Sequence, residues 1–187
     1  LLASGCSAQL RKAIDRTENA TAPGMASDSV VQSIQKRFDL VIGYSTEATT
    51  SFRPKTYHLI GFQDNQTIAF TYVYRNVRTD KQPKFTLDSI SVSSQYKDSV
   101  LSLYLKTKAW EIEHFENDNT VYCSDLSSHS GCNIHDGTTY NFIVMTKRRQ
   151  RVSNFYEPDY YENCCPGNKD RQRFLATIGP IQRIFLK

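Results

Sequence analysis

The sequence predicts a mainly β protein, an antiparallel sandwich or barrel of about six to eight strands with one N-terminal amphipathic helix; an α+β fold is the alternative. Three observations support this. The aromatic residues are 11 Tyr and 10 Phe with a single Trp, and such rings favour strands. Apolar and polar residues alternate with a period of two along much of the chain. Polar connections separate these runs, which is typical of antiparallel sheets.

One amphipathic helix is predicted at residues 28–38, because apolar residues recur there at helical spacing. Ser27 or Asp28 can cap it by accepting hydrogen bonds from the first free amides. One face of this helix should therefore pack on a sheet. The apolar residues with this spacing are Val30, Val31, Ile34 and Phe38.

A β-hairpin is predicted from residues 56–62 and 67–75, because the turn-forming residues 63–66 separate two β-branched and aromatic runs. Further strands are predicted at 85–93, 100–106, 110–115, 139–147, 173–178 and 181–186. Gly179-Pro180 lies between the last two, and proline cannot donate to a strand ladder, so a turn or bulge is expected there. In the second hairpin strand the residues predicted to share one face are Ile68, Phe70, Tyr72 and Tyr74.

Residues 1–6 read LLASGC. An apolar segment followed by small residues is typical of the end of a signal peptide, and Leu-Ala-Ser-Gly-Cys resembles the lipobox of bacterial lipoproteins. The resemblance implies that Cys6 carries a diacylglycerol and is the first residue of the mature protein. Two or more acyl chains anchor a protein stably in a membrane. The alternative is a short apolar N-terminus with a free cysteine.

Three regions are predicted along the chain. Residues 1–5 are a signal-peptide remnant. Residues 6–27 are the lipidated cysteine and a flexible tether, because their composition is small and polar. Residues 28–187 are a single β-rich domain of ordinary size. No later segment approaches the roughly 18 consecutive apolar residues of a membrane-spanning helix.

The cysteines after Cys6 are candidates for disulfides, since an even number in an exported chain favours pairing. Four cysteines allow three connectivities. One bridge could close the loop between the first two, and the adjacent last two could pair with each other or each with one of the first. The four are Cys123, Cys132, Cys164 and Cys165.

A metal site is the alternative for this region. His129, Cys132 and His135 are three residues apart and close to Cys123, and thiolate with imidazole suits zinc or copper. Their spacing matches no standard zinc module, and an oxidising compartment would remove the thiolates. We therefore expect no cofactor, with disulfides and surface histidines in this loop.

The sequence contains no nucleophile elbow, HExxH motif, phosphate-binding glycine loop or dinucleotide fingerprint. Glu111, Glu113 and Glu116 lie around His114 and could in principle supply acid–base groups. On a strand, however, alternate residues point to opposite faces, so this pattern predicts a half-buried strand with a solvated outer face. No catalytic residue is predicted.

The basic residues include one cluster, in a net charge of +4. Such a cluster can bind phosphate-rich partners. No second basic segment or RNA-binding signature accompanies it, so we expect a solvated strand end and no nucleic-acid partner. The cluster is Lys147, Arg148, Arg149 and Arg151.

Residues 154–167, NFYEPDYYENCCPG, are the most unusual part of the body. Their rings could form a platform for a glycan or a partner protein, with nearby carboxylates as hydrogen-bond acceptors. The alternative is that they cover the end of a barrel. The candidate rings are Phe155, Tyr156, Tyr160 and Tyr161.

Together these features predict a lipid-anchored protein of the bacterial cell envelope, facing the periplasm or the exterior, with a binding or assembly role. Its expected partners are the membrane, through the lipid anchor, and another envelope protein or a glycan. The alternatives are a secreted domain stapled by disulfides and a metal-binding protein that uses the Cys/His loop. Glycan occupancy at Asn65, in an Asn-Gln-Thr acceptor site, would favour the secreted alternative.

Overall fold

The computed structural model describes residues 8–48, 54–75, 84–113, 134 and 136–186. These residues form five α-helices, six strands and one 3₁₀ turn. The helices are α1 (Ala8–Ala20), α2 (Ser29–Arg37), α3 (Ser94–Thr107), α4 (Pro158–Cys164) and α5 (Lys169–Phe185), and the 3₁₀ turn is Ala109–Glu111. The strands are β1 (Leu40–Ala48), β2 (Lys55–Gln63), β3 (Gln66–Arg75), β4 (Lys84–Ser91), β5 (Thr138–Thr146) and β6 (Arg149–Tyr156).

The described strands form one antiparallel sheet in the order β4-β3-β2-β1-β5-β6. The predicted hairpin is confirmed as β2 and β3, in which Gln63 pairs with Gln66 around a two-residue turn. The predicted fold class is confirmed in its α+β form. Helices, rather than a second sheet, cover the faces of the described sheet, because each helix buries one apolar stripe.

The two faces of the sheet carry different helices. Helices α1, α3 and α5 pack on one face, where Leu10, Tyr104 and Phe174 join the inward residues of β1, β2 and β5 in one apolar core. Helix α2 lies on the other face, with Ile34 and Phe38 in a second core. None of the described helices combines the length and apolar composition needed to cross a bilayer.

The predicted amphipathic helix is confirmed as α2. Asp28 is its N-cap, and one carboxylate oxygen accepts the N–H groups of Val30 at 2.9 Å and Val31 at 3.1 Å. Val31 and Ile34 are buried, as their spacing predicts. This cap fixes the start of α2 because the first amides of a helix have no partner within the helix.

The tether prediction for residues 7–27 is wrong for the part that forms α1. Leu10, Ala13 and Thr17 are buried in this helix, and the Thr17 hydroxyl lies 2.6 Å from that of Tyr104 in α3. The polar composition of this segment reflects the exposed face of α1, and the prediction overlooked the buried face. Leucine and alanine at positions three apart are enough to bury the other face.

Three predicted strands are helices instead. Residues 100–106 lie in α3, and residues 173–178 and 181–185 lie in α5, which contains Pro180 without a turn between them. In α3 and α5 the apolar residues also fit a helical period, and each helix begins directly after a residue whose side chain caps it. The Ser93 and Asn168 side chains accept backbone N–H groups at the starts of these helices.

The strand predicted at residues 110–115 is also wrong over its described part. Ala109–Glu111 is a 3₁₀ turn, so Glu111 and Glu113 do not lie on the solvated face of a strand. Glu111 Oε2 lies 3.1 Å from Arg173 Nη2 in α5. The Glu113 N–H donates to the Asp170 carboxylate at 3.2 Å. His114 and Glu116 lie outside the described residues.

Candidate binding surface at the sheet edge

Strand β4 is one edge of the sheet, and every residue from 85 to 91 is exposed. Three of them are large and apolar: Phe85 is 61% exposed, Leu87 45% and Ile90 49%. Natural proteins usually protect a sheet edge with charges, proline or a covering segment. This exposed apolar edge therefore marks a candidate interaction site.

The phase of the β3–β4 ladder shows which backbone groups face outward. The Val92 N–H donates to the Thr67 carbonyl at 2.9 Å, and Thr67 and Val92 continue the register in which Ile68 pairs with Ser91. Hydrogen-bonded pairs alternate along an antiparallel ladder. The outward N–H and C=O groups are therefore those of Phe85, Leu87, Ser89 and Ser91.

The opposite edge of the sheet, β6, is covered where it begins. The Gln150 N–H donates to the Ala22 carbonyl at 3.4 Å, and the Gly24 N–H donates to the Arg148 carbonyl at 3.0 Å. The segment after α1 thus continues the sheet for a short distance. In the described part of the chain, no backbone hydrogen bond of this kind reaches the outer side of β4.

Aromatic side chains extend from β4 across the face of the sheet that carries α2. The rings of Tyr57 and Tyr72 are stacked with centroids 5.4 Å apart and planes at 27°. The rings of Tyr72 and Phe85 meet edge to face at 6.2 Å. We call Tyr57, Tyr72 and Phe85 the aromatic row. Helix α2 leaves Phe85 and part of Tyr57 exposed.

The N-cap of α2 holds the centre of the aromatic row. The Tyr72 hydroxyl donates to Asp28 Oδ2 at 3.0 Å, while Oδ1 of the same carboxylate caps the helix. Burial, reinforced by this hydrogen bond to a carboxylate, raises the pKa of Tyr72. Its ring is therefore a neutral, fixed support for the exposed Phe85.

Charged groups surround the other end of the row. Lys55 Nζ lies 5.4 Å from the centre of the Tyr57 ring and 3.3 Å from Glu47 Oε2. Burial raises the pKa of Tyr57, and Lys55 opposes this change. The row is thus neutral and apolar toward β4. An apolar side chain from a strand bound beside β4 can pack against this end of the row.

The candidate rings of residues 154–167 lie in β6 and α4, away from β4, and make internal contacts. Phe155 is fully buried and Tyr161 is 4% exposed. The Tyr156 hydroxyl accepts the Gly137 N–H at 2.8 Å. Tyr160 is half-buried and meets the Tyr161 ring edge to face at 5.2 Å. Ligand binding by these four residues stays a prediction.

A buried arginine organises the chain around the adjacent cysteines. Arg171 is fully buried; its Nε donates to Glu162 at 2.8 Å, and its Nη2 donates to the Cys165 carbonyl. Partial burial would raise the pKa of Glu162, but hydrogen bonds from Arg171, Gln172 and Gly167 lower it. Cys165 is 4% exposed and Cys164 half-buried.

The other predicted site residues lie outside the described part of the chain: Cys6, Cys123, His129, Cys132 and His135. Lipidation, cysteine pairing and metal binding at these positions stay predictions. Within the described ranges, no three His, Cys, Asp or Glu residues come together as a metal-binding group.

The basic cluster lies at the β5–β6 turn, and most of its charges are used within the fold. Lys147 Nζ is 2.6 Å from Asp39 Oδ1. Arg149 donates to the Thr21 carbonyl at 2.5 Å. Arg151 donates to the carbonyls of Trp110 at 2.9 Å and Ile112 at 3.1 Å. These two arginines thus stabilise the fold by donating hydrogen bonds to backbone carbonyls.

A cavity of about 600 Å³ opens beside β6. Arg151 contributes to its wall, but that side chain is already bound to backbone carbonyls. Among the described residues of the wall, Glu113 supplies the one carboxylate. The residues that line it are Ala22, Gly24, Glu113, Gln150, Arg151 and Val152.

The chain matches no protein-family model. Comparisons with curated proteins and with solved structures give no match either. The proposed function therefore rests on the exposed edge at β4 and on the sequence features described above.

Sequence reasoning missed the importance of β4. It predicted a strand at 85–93, and the alternation of Phe85 and Leu87 with polar residues was visible. Alternation predicts that one face is buried. It does not distinguish an edge strand from a central one, because strand order is a property of the whole sheet.

Proposed function

We propose that this protein is a lipid-anchored binding or assembly module of the bacterial cell envelope. In this proposal it holds a protein partner by adding an extended segment of that partner to β4. The observation that carries the proposal is the exposed edge, which no described segment pairs with and whose outward backbone groups at Phe85, Leu87 and Ser89 flank exposed apolar side chains. In such strand addition, backbone hydrogen bonds supply affinity and side-chain contacts supply selectivity.

The envelope location rests on the lipobox resemblance at Cys6 and on the proposed disulfides among Cys123, Cys132, Cys164 and Cys165. Helix α1 begins at Ala8, two residues after Cys6. A lipid on Cys6 would therefore hold the folded domain close to the bilayer, without a long spacer. The acyl chains would supply about 0.8 kcal/mol per buried CH₂.

A strand-addition interface is small, so we expect weak affinity in solution. Interfaces below about 1,200 Å² are typical of transient contacts, and each net backbone hydrogen bond contributes about 0.5–1.5 kcal/mol. Anchoring both partners at one membrane raises their effective concentration, which compensates for weak binding without new contacts. A micromolar interaction is thus adequate for assembly at a surface.

A peptide titration tests the binding role. The probe is a capped peptide of alternating threonine and valine with a lysine at each end, added to the ¹⁵N-labelled chain. We expect saturable changes in the amide signals of Phe85, Leu87 and Ser89, with those of Gln150 in β6 unchanged. Absence of saturable changes on β4 would refute the role of this edge.

A proline substitution tests the outward backbone donors of β4, and a substitution beside β6 is its control. Ser89→Pro removes an N–H that faces away from β3, so the internal ladder is kept while one outward donor is lost. We expect the variant to remain folded by circular dichroism and to bind the peptide at least about tenfold more weakly. Met25→Lys, an exposed apolar-to-charged change beside β6, should leave peptide binding unaltered.

The anchor has its own test. Mass spectrometry of the protein from membranes of its native host should find acyl chains on Cys6. An unmodified Cys6, in a protein released without detergent, would remove the envelope half of the proposal. The peptide experiment would still decide the binding half.

A further inference from the structure

We infer that the strand added to β4 is β4 of a second copy of this chain, related to the first by a twofold axis. This inference rests on the proposed function, because it names the partner for the same edge. It predicts a continuous sheet through two copies, in which the two aromatic rows meet.

The direction of the backbone groups restricts the possible registers. Two β4 strands can bond only if outward-facing residues oppose outward-facing residues, and these are Phe85, Leu87, Ser89 and Ser91. A twofold axis can then lie at one of residues 86–89. Axes at Thr86 or Ser89 overlap only residues 84–88 or 87–91, whereas axes at Leu87 or Asp88 overlap 84–90 or 85–91.

Charge separates the two longer registers. An axis at Asp88 places the two Asp88 carboxylates directly opposite each other, and like charges in that position are destabilising. An axis at Leu87 places each Asp88 opposite Thr86 of the other copy. A threonine hydroxyl can donate to a carboxylate, so this register turns a repulsive pair into two hydrogen bonds.

The side chains on the aromatic face also fit the axis at Leu87. There Leu87 meets Leu87 of the other copy, and each Phe85, 61% exposed in one copy, lies opposite the small Ser89. Diagonal neighbours on one face remain within reach of large side chains. Phe85 can therefore cover Leu87 of the other copy, and both lose exposure to water.

The composition of β4 also favours pairing between two copies. Strand β4 contains no proline, and Asp88 is the one acidic residue in Lys84–Ser91. Long, flat, apolar edges pair with one another unless they are blocked. The closed twofold arrangement uses each edge once, so pairing stops at a dimer.

Sedimentation of the full chain tests the inference. Over about 1 to 500 µM we expect a reversible monomer–dimer equilibrium with a micromolar Kd. Leu87→Lys and Leu87→Glu should each raise the dimer Kd at least about tenfold, because each puts like charges on the axis. Both changes are at a residue that is 45% exposed, so thermal unfolding should confirm intact folds.

Mixing the two variants tests the axis itself. In a one-to-one mixture the introduced ammonium faces the introduced carboxylate, so we expect a heterodimer with an affinity at least about tenfold above that of either variant alone. A peptide-binding edge without self-pairing would give no such recovery. Met25→Lys, at the opposite edge of the sheet, should dimerise like the unchanged chain.

The outcomes separate the inference from the proposed function. A monomer throughout the concentration range overturns the inference, and the proposed function then depends on the threonine–valine peptide. A dimer that Leu87→Lys does not weaken, or a mixture that shows no recovery, also overturns it. Absence of both the dimer and peptide binding refutes both proposals.

Discussion

Phe155 and Phe174 stack face to face, with ring centroids 4.5 Å apart and planes 11° apart. This contact joins β6 to α5 in the larger apolar core. Phe174 also meets the rings of Tyr140 at 6.1 Å and Phe142 at 5.7 Å, both edge to face. The end of β6 is thus held by the core, whereas Phe85 on β4 is largely exposed to solvent.

Phe174→Ala should lower the free energy of unfolding by about 3–5 kcal/mol, since it leaves a cavity among three rings. Denaturant unfolding followed by circular dichroism measures this change. Phe85→Ala is the matched control, and its cost in a monomer should stay below about 1 kcal/mol because the ring is 61% exposed. Similar costs for the two variants would contradict the assigned burial.

Leu10→Ala should destabilise the protein by about 2–5 kcal/mol, as expected for a large-to-small change at a fully buried position. The result separates a packed α1 from a flexible tether, for which the change would have no effect. Arg11→Ala, on the exposed side of the same helix, should change the stability by less than about 0.5 kcal/mol. Urea unfolding of both variants provides the comparison.

Arg171→Met should cost about 3 kcal/mol, because it leaves Glu162 without its cation and removes the hydrogen bond from the guanidinium to the Cys165 carbonyl. Adding Glu162→Gln to this variant should recover part of the loss. The pair of exposed Lys147 and half-buried Asp39 offers the comparison, and Lys147→Met should cost less than about 1 kcal/mol. Thermal unfolding of all three variants measures these changes. Equal losses for Arg171→Met and Lys147→Met would show that burial of the Arg171–Glu162 pair does not matter.

The protein should become less stable as the pH falls below about 6.5, through His58. Its ring lies between Tyr44 at 5.1 Å and Phe185 at 4.7 Å, and its Nδ1 has no hydrogen-bond partner in the described structure. Burial lowers the pKa of His58. The unfolded chain therefore takes up the proton first, and stability is lost until the pH reaches the folded pKa.

Urea unfolding at about pH 8 and about pH 5 checks this sign. His58→Phe keeps a ring between Tyr44 and Phe185 but cannot titrate, so its loss of stability between the two pH values should be smaller than that of the unchanged chain. An equal loss in both proteins would assign the pH dependence to other groups. Burial raises the pKa of the adjacent Tyr44 to about 12, so this phenol is neutral at both pH values.

The sequence by itself determined the features that depend on near neighbours. The β2–β3 hairpin follows from a polar turn between two alternating runs, and α2 follows from its apolar spacing and the Asp28 cap. Strands β4 and β5 were also predicted. In each case a hydrogen bond or a periodic face within a few residues decides the conformation.

Only the tertiary structure decided the rest. The apolar residues of α3 and α5 fit either period, so their packing against the sheet decided in favour of the helix. Burial of Leu10 made α1 part of the fold despite its polar composition. The candidate surface depends on β4 being the last strand of the sheet, because an outward N–H is recognisable only when the strand order is known.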